Sequence, residues 1–213
     1  MDKKLHRLKL RQDAVMGQMA EILASVSSPV RIKLIHFLSQ GPLTVDTLAG
    51  KIGQSVANTS MHLRKMHATR LVTVSVAGKH RLYALHPAAF AFWEACQDFT
   101  QEVAPELRVD AAAVYGEIDW EEDLRSTVRM AKNNEVTLVD ARPADEASQE
   151  ISGLNVLRLP ADGLAKLPKK RPLLVFCRGR LCALSAHVVG ELRKQGYQAY
   201  RLNESWYALN EVS

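Results

Sequence analysis

The segment "LTVDTLAGKIGQSVANTSMHLRKMHATRLVTVSVAGKHRLYAL", residues 43–85, constrains the architecture more than any other part of the 213-residue chain. Gly41-Pro42 ends a preceding helix, Thr44 caps a short helix that stops at Gly53, and Ser55 caps the next one, residues 55–69. The apolar period then changes from about 3.6 residues to 2, because "LVTVSV" and "RLYAL" alternate on either side of the turn "AGKH". Helix, short turn, helix and hairpin is a restrictive order, since two short helices must share one apolar side with a two-stranded ribbon.

Flanking helices supply the rest of that side. Leu5, Leu8, Val15, Met19, Ile22 and Leu23 recur at helical spacing, and a second helix is predicted from about Pro29 to Ser39 with Ser28 as its cap. A last helix runs from Ala88 to about Val103 and ends before Pro105. The whole is a winged helix-turn-helix pattern, with residues 55–69 as its recognition helix. Ser55, Asn58, Thr59, Ser60, His62 and Arg64 are the polar candidates for base-edge contact, set among Val56, Met61, Leu63 and Met66 as the buried side. Lys65, Arg70, Lys79 and Arg81 are placed for phosphate, the last two from the wing.

Charge agrees with that reading. Residues 1–109 carry 14 Lys and Arg against 8 Asp and Glu, while residues 110–213 carry 14 against 15. A net +6 joined to a net −1 points to a polyanion meeting the first half, here double-stranded DNA. These residues resemble the ArsR family of dimeric repressors over roughly residues 15–105, through the Leu-Ala pair of the short helix, Ser55, Ser60, His62 and Leu63, and the run into the wing. The resemblance implies a homodimer formed by the first and last helices, binding a palindromic operator and released by a signal. Relatives with a metal box carry Cys-x-Cys on the short helix, where this chain reads "LTVDTL". His36, His62, His67, His80, His86 and Cys96 show no metal-ligand spacing, so no metal and no cofactor is expected.

The second half has another grammar. "VTLVD" (136–140), "VLRL" (156–159), "LLVF" (173–176) and "AYRL" (199–202) alternate with helical stretches, including residues 183–195 and a short helix after Ser205. That alternation predicts a small parallel α/β sheet. Between the halves, Glu117, Asp119, Glu121, Glu122 and Asp123 read as an acidic linker, residues 107–123. The expected domains are therefore a mainly α winged helix-turn-helix at 1–106 and an α/β domain at 124–213.

"LLVF" delivers Cys177 to the end of a strand, "RGRLC" follows, and then a helix begins. A thiol reacts as thiolate, and backbone N–H groups at a loop and helix N-terminus favour that form. Gly179 permits a positive φ, and Arg178 and Arg180 add charge that would lower the Cys177 pKa and draw in anions. With Leu181 and Cys182 these residues, Cys177 to Cys182, make the candidate reactive loop. An Arg closing such a loop would clamp an oxyanion, but the sixth residue after Cys177 is Ala183, so sulfur chemistry is favoured over phosphate or arsenate chemistry.

This part resembles the rhodanese family of sulfurtransferases over about residues 120–213, through Asp140, Arg142, Pro143 and Glu146 of "VTLVDARPADEA", the Cys177 loop, and "GYQAYRL". The resemblance implies a rhodanese-like fold and a Cys177 that accepts sulfane sulfur as a persulfide from a donor such as thiosulfate or polysulfide. The family's segment before the third strand is reduced to "EISGLNV" and its closing glycine pair reads "NESW", which leaves turnover open. Cys182 has two readings: a second thiol that closes a disulfide with Cys177, or a small side chain packed under the loop. Three cysteines without framework spacing fit a reducing, cytoplasmic setting, and the charged N-terminus and lack of long apolar runs predict neither secretion nor membrane insertion. The expectation for the whole is a DNA-binding regulator that senses reactive sulfur or oxidants. The alternative is a sulfurtransferase tethered to a DNA-binding domain.

Overall fold

The computed structural model describes residues 3–107, 111–143, 151, 153–159 and 167–213. Its chain divides into two compact units, one of residues 1–38 and 42–97, the other of residues 39–41 and 98–213.

In the first unit, α1 (Lys3–Val26) and α2 (Pro29–Leu38) precede a two-residue strand β1 (Leu43–Thr44), then α3 (Val45–Ile52), α4 (Val56–Ala68), β2 (Val72–Ala77), β3 (His80–Leu85) and α5 (Pro87–Val103). The caps form where the residue types place them: Thr44 accepts from the Thr47 amide and Ser55 from the Asn58 amide, each at 3.2 Å. β2 and β3 pair antiparallel from Val72–Leu85 to Ala77–His80, and β1 adds a third strand on the β3 edge that the sequence did not announce. Leu34, Ile35, Leu38, Leu48, Leu63 and Met66 are at most 1% exposed and close the core. Arg31 is buried beside them, where its guanidinium donates to the Ser25 and Ala24 carbonyls at the end of α1. A cation over the last carbonyls of a helix answers both their unpaired lone pairs and the helix dipole.

The second unit holds a 3-10 turn (Pro105–Leu107), α6 (Ala111–Tyr115), α7 (Leu124–Lys132), β4 (Thr137–Asp140), β5 (Val156–Arg158), β6 (Leu173–Cys177), α8 (Ala183–Lys194), β7 (Ala199–Ser205) and α9 (Trp206–Glu211). The four strands run parallel in the order β5-β4-β6-β7. β6 is buried along its length because both sheet faces are covered. Leu173, Val175 and Cys177 enter the cluster with Ala186, Val189 and Leu192 of α8, while Leu174 and Phe176 enter that of Val128, Trp206 and Leu209 from α7 and α9.

The acidic stretch departs from expectation. Residues 117–123, expected as part of a linker, are not free, because Ile118 is 1% exposed inside the second unit and Arg201 exchanges backbone hydrogen bonds with Ile118 and Trp120. The charged neighbours stay outside and one apolar residue anchors the segment. Tyr115 lies over Gly190 of α8, where a side chain on residue 190 would place its Cβ 2.8 Å from the Tyr115 ring. Of the motif residues, Asp140, Arg142 and Pro143 are described, whereas Glu146, Glu150 and Ser152 lie outside the described residues. Among the described residues no helix is long and apolar enough to cross a membrane.

Candidate functional site

Two places in the chain gather the predicted residues, one in each unit. On α4 the buried positions are Thr59, Leu63 and Met66, at i, i+4 and i+7. Thr59 is 0% exposed and its hydroxyl donates to the Ser55 carbonyl at 2.9 Å, so it braces the helix and offers nothing to a base edge. Ser55 is likewise committed to its cap. Asn58 is half-buried, its amide donating to Gln54 Oε1 at 2.7 Å, and Ser60 is half-buried. Arg64 and Lys65 are exposed on α4, and Lys79 and Arg81 on the wing. Val56 and Met61, expected inside, are 46% and 52% exposed. A wheel anchored on Leu63 and Met66 turns Thr59 inward and Met61 outward, a signal that hydrophobicity alone overrides.

His62 is half-buried, with Nδ1 3.3 Å from Nη1 of Arg31. Arginine only donates, so Nδ1 accepts and Nε2 carries the proton. Burial, then the charges of Arg31 and Lys65, push the His62 pKa below its ordinary value and hold the ring neutral.

In the second unit, Cys177 ends β6 and Cys182 occupies the N-cap position of α8. Their sulfurs are 3.0 Å apart, both residues buried. Gly179 takes φ +83, which lets the chain reverse so that the Cys182 amide donates to the Gly179 carbonyl at 3.1 Å. Two thiols this close, shielded from water, do not both ionise and instead share one proton. The charge settles on Cys182, lowered to about 5 by hydrogen bonding from Cys177 and then by the Arg178 and Leu184 backbone amides against the cost of burial. Cys177 is pushed far up, first by the hydrogen bond to Cys182 and then by burial and its partner's charge. Sequence reasoning placed the stabilised thiolate on Cys177. The difference arises because Cys177 closes a core strand whereas Cys182 heads a helix. Arg178 and Arg180 are half-buried and Leu181 is 41% exposed at the loop surface.

Below the loop the sheet ends in charged residues. Asp140 at the end of β4 and Arg142 form a buried ion pair, with Nη2 2.7 Å from Oδ2, Nε within 3.1 Å of both oxygens and the Arg142 amide 2.9 Å from Oδ1. Satisfying a carboxylate this fully fixes the turn after β4. Arg201, missed in the sequence, is 3% exposed on β7 and its Nη2 donates to the Arg180 carbonyl at 2.8 Å and the Cys182 carbonyl at 3.4 Å. Its signal was a cation two residues from the inward Ala199, on the face a period of 2 assigns to the core. Cys96 stands apart on α5, half-buried, with its thiol pKa raised by desolvation. Among the described residues no group of three or more His, Cys, Asp and Glu could hold a metal ion.

Residues 28–74 match the model of the arsR family of bacterial regulatory proteins, so the first unit contains an ArsR-type winged helix-turn-helix domain. The chain is 26% identical over 198 residues to the HTH-type transcriptional regulator Rv0324 of Mycobacterium tuberculosis, a match covering 91% of this chain and 88% of that protein, and hence both units. Among solved structures, the homodimeric winged helix-turn-helix DNA-binding domain of Mb0332 from Mycobacterium bovis is 20% identical, with a TM-score of 0.44 over 45% of this chain and 90% of that one. NolR from Sinorhizobium fredii is 21% identical, with a TM-score of 0.38 over 46% of this chain and 93% of that one.

Proposed function

We propose that the protein is a dimeric transcriptional regulator that binds a palindromic operator in the cytoplasm through α4 and the wing, and that its rhodanese-like second unit senses reactive sulfur or oxidants through Cys177 and Cys182. The observation that carries the sensing is the 3.0 Å separation of two sulfurs sharing one proton. DNA binding is supported by the ArsR-type match and by the exposed cations at Arg64, Lys65, Lys79 and Arg81. Dimerisation is supported by α1, whose Leu5, Leu8, Val15, Met19 and Ile22 stand 40–57% exposed, a long apolar stripe that water disfavours and a second copy would cover.

The chemistry needs only a sulfane-sulfur donor such as polysulfide. Cys177 passes its proton to Cys182 and attacks a sulfane sulfur; one S–S bond forms as one in the donor breaks. The shortened polysulfide leaves with that electron pair and takes up the proton from Cys182. Cys182, again a thiolate, attacks the Cys177 sulfur, the disulfide closes and hydrosulfide departs. The dithiol loses two electrons and the sulfane sulfur gains them. Cys182 is suited to the resolving step because it heads α8 with its sulfur 3.0 Å from that of Cys177. Burial of Cys177 at 1% exposure favours this stoichiometric response over rapid sulfur transfer to small acceptors.

Brief treatment of the reduced protein with polysulfide, read by intact mass, tests the reading. The expected result is loss of two hydrogens that requires both cysteines, with a sulfur adduct retained on Cys177 in a Cys182→Ser variant. An unchanged mass would contradict it.

A further inference from the structure

Arg201 is a buried cation whose neutralisation is incomplete. Among the described residues its carboxylate partner is Asp119, with Nη1–Oδ1 at 3.9 Å and the Asp119 side chain 51% exposed, and its Nε has no partner. Such a group is costly to bury unless its surroundings return hydrogen bonds. Here they come from the reactive loop, since the Arg180 and Cys182 carbonyls both turn to Nη2. A trans peptide points its C=O and N–H in opposite directions, so the next amides, Leu181 and Ala183, point away from Arg201. Arg201 shares the core side of β7 with Ala199, so the two amides are turned from that side. Among the described residues, neither amide has a backbone partner outside the helix.

We propose that Arg201 is the positioning residue of the sulfur site: by holding the Arg180 and Cys182 carbonyls it aims the Leu181 and Ala183 amides at the outer sulfur of a Cys177 persulfide and keeps the Cys182 end of the loop in its thiolate-stabilising form. This rests on the sulfur-sensing reading above. Arg201 also exchanges backbone bonds with Ile118 and Trp120, which fixes its own place on β7.

Charged groups on the elements around the pair are Arg178 and Arg180 in the loop, the latter ion-paired with Asp98 of α5, the Asp140–Arg142 pair after β4, Asp119 beside Arg201, His187 on α8 and Glu204 on β7. None donates to the two loop carbonyls as Arg201 does among the described contacts. The test uses the full chain with Cys96→Ala, as wild-type loop, Arg201→Met and Arg201→Lys. Iodoacetamide alkylation is followed from pH 4 to 9 by intact mass, and persulfidation of the Cys182→Ser counterparts by inorganic polysulfide is timed at neutral pH.

The wild-type loop is expected to alkylate with a midpoint near the value of about 5. Arg201→Met should raise it by about one pH unit or more and slow persulfidation about tenfold, with Arg201→Lys between the two. Thermal unfolding checks that the variants are folded; if Arg201→Met is not, Arg201→Lys decides by the same readouts. A low wild-type midpoint that both folded variants reproduce would overturn the role of Arg201 and leave the sensing reading standing. A wild-type loop whose mass polysulfide leaves unchanged overturns both.

Discussion

In the first unit Arg64, Lys65, Lys79 and Arg81 stand exposed on one helix and its wing, while in the second unit Arg142 and Arg201 are 5% and 3% exposed beneath a loop. Exposed cations wait for an anion from outside, and salt weakens what they gain. Buried cations have already spent their hydrogen bonds on an internal carboxylate or on loop carbonyls, where they set backbone direction and salt scarcely reaches them. The comparison teaches that the same residue type stays in solvent in one unit and braces the backbone of a buried loop in the other. Burial decides which.

The comparison breaks most visibly at Arg142. Arg142→Ala strands Asp140 in the core and is expected to cost about 3–5 kcal/mol, read as a fall in the second unit's melting temperature that added salt does not restore. Next in size is the contrast between thiols. At pH 6 the Cys182 thiolate is formed, whereas Cys96 is held protonated by burial, so alkylation of the loop should outrun that of Cys96 by about a hundredfold. The sign follows from the lowered pKa: reactivity persists as pH falls and is lost only below about 5. Comparable rates at the two positions would contradict the shared-proton pair.

Arg64→Ala should weaken operator binding by about 1–3 kcal/mol and reduce the salt dependence, with no loss of melting temperature. Removal of a cap is smaller still. Ser205 Oγ accepts from the Ala208 amide at 3.3 Å, and Ser205→Ala is expected to cost about 1 kcal/mol of unfolding free energy. Thr59→Val is the sharpest contrast on α4, because the buried side chain should lose stability by about 1 kcal/mol or less while leaving the preferred DNA sequence unchanged. A changed preference would return Thr59 to the interface.

Much of this was legible beforehand because it is local. The caps at Thr44 and Ser55, the short helix after Ser205, the hairpin of β2 and β3, and the strand that ends in Cys177 all follow from short-range chemistry and apolar period. What the sequence concealed depends on partners far along the chain. Ile118 is one apolar residue among acids, and only the sheet edge reveals it as core. Arg201 looks like an ordinary strand residue until the loop carbonyls, 19 and 21 positions away, are brought to it. Which thiol carries the charge was also invisible, since it depends on the depth of β6 against the start of α8.

The most direct measurement is the affinity of the reduced full-length protein for a duplex selected by that protein from a random pool, repeated after polysulfide treatment for the wild type and for Cys177→Ser. A change of about tenfold or more in the wild type, reversed by dithiothreitol and absent in Cys177→Ser, is the predicted result. Unchanged affinity in a wild-type sample whose mass shows the disulfide, or an equal response in Cys177→Ser, would contradict the coupling of the sulfur pair to DNA binding.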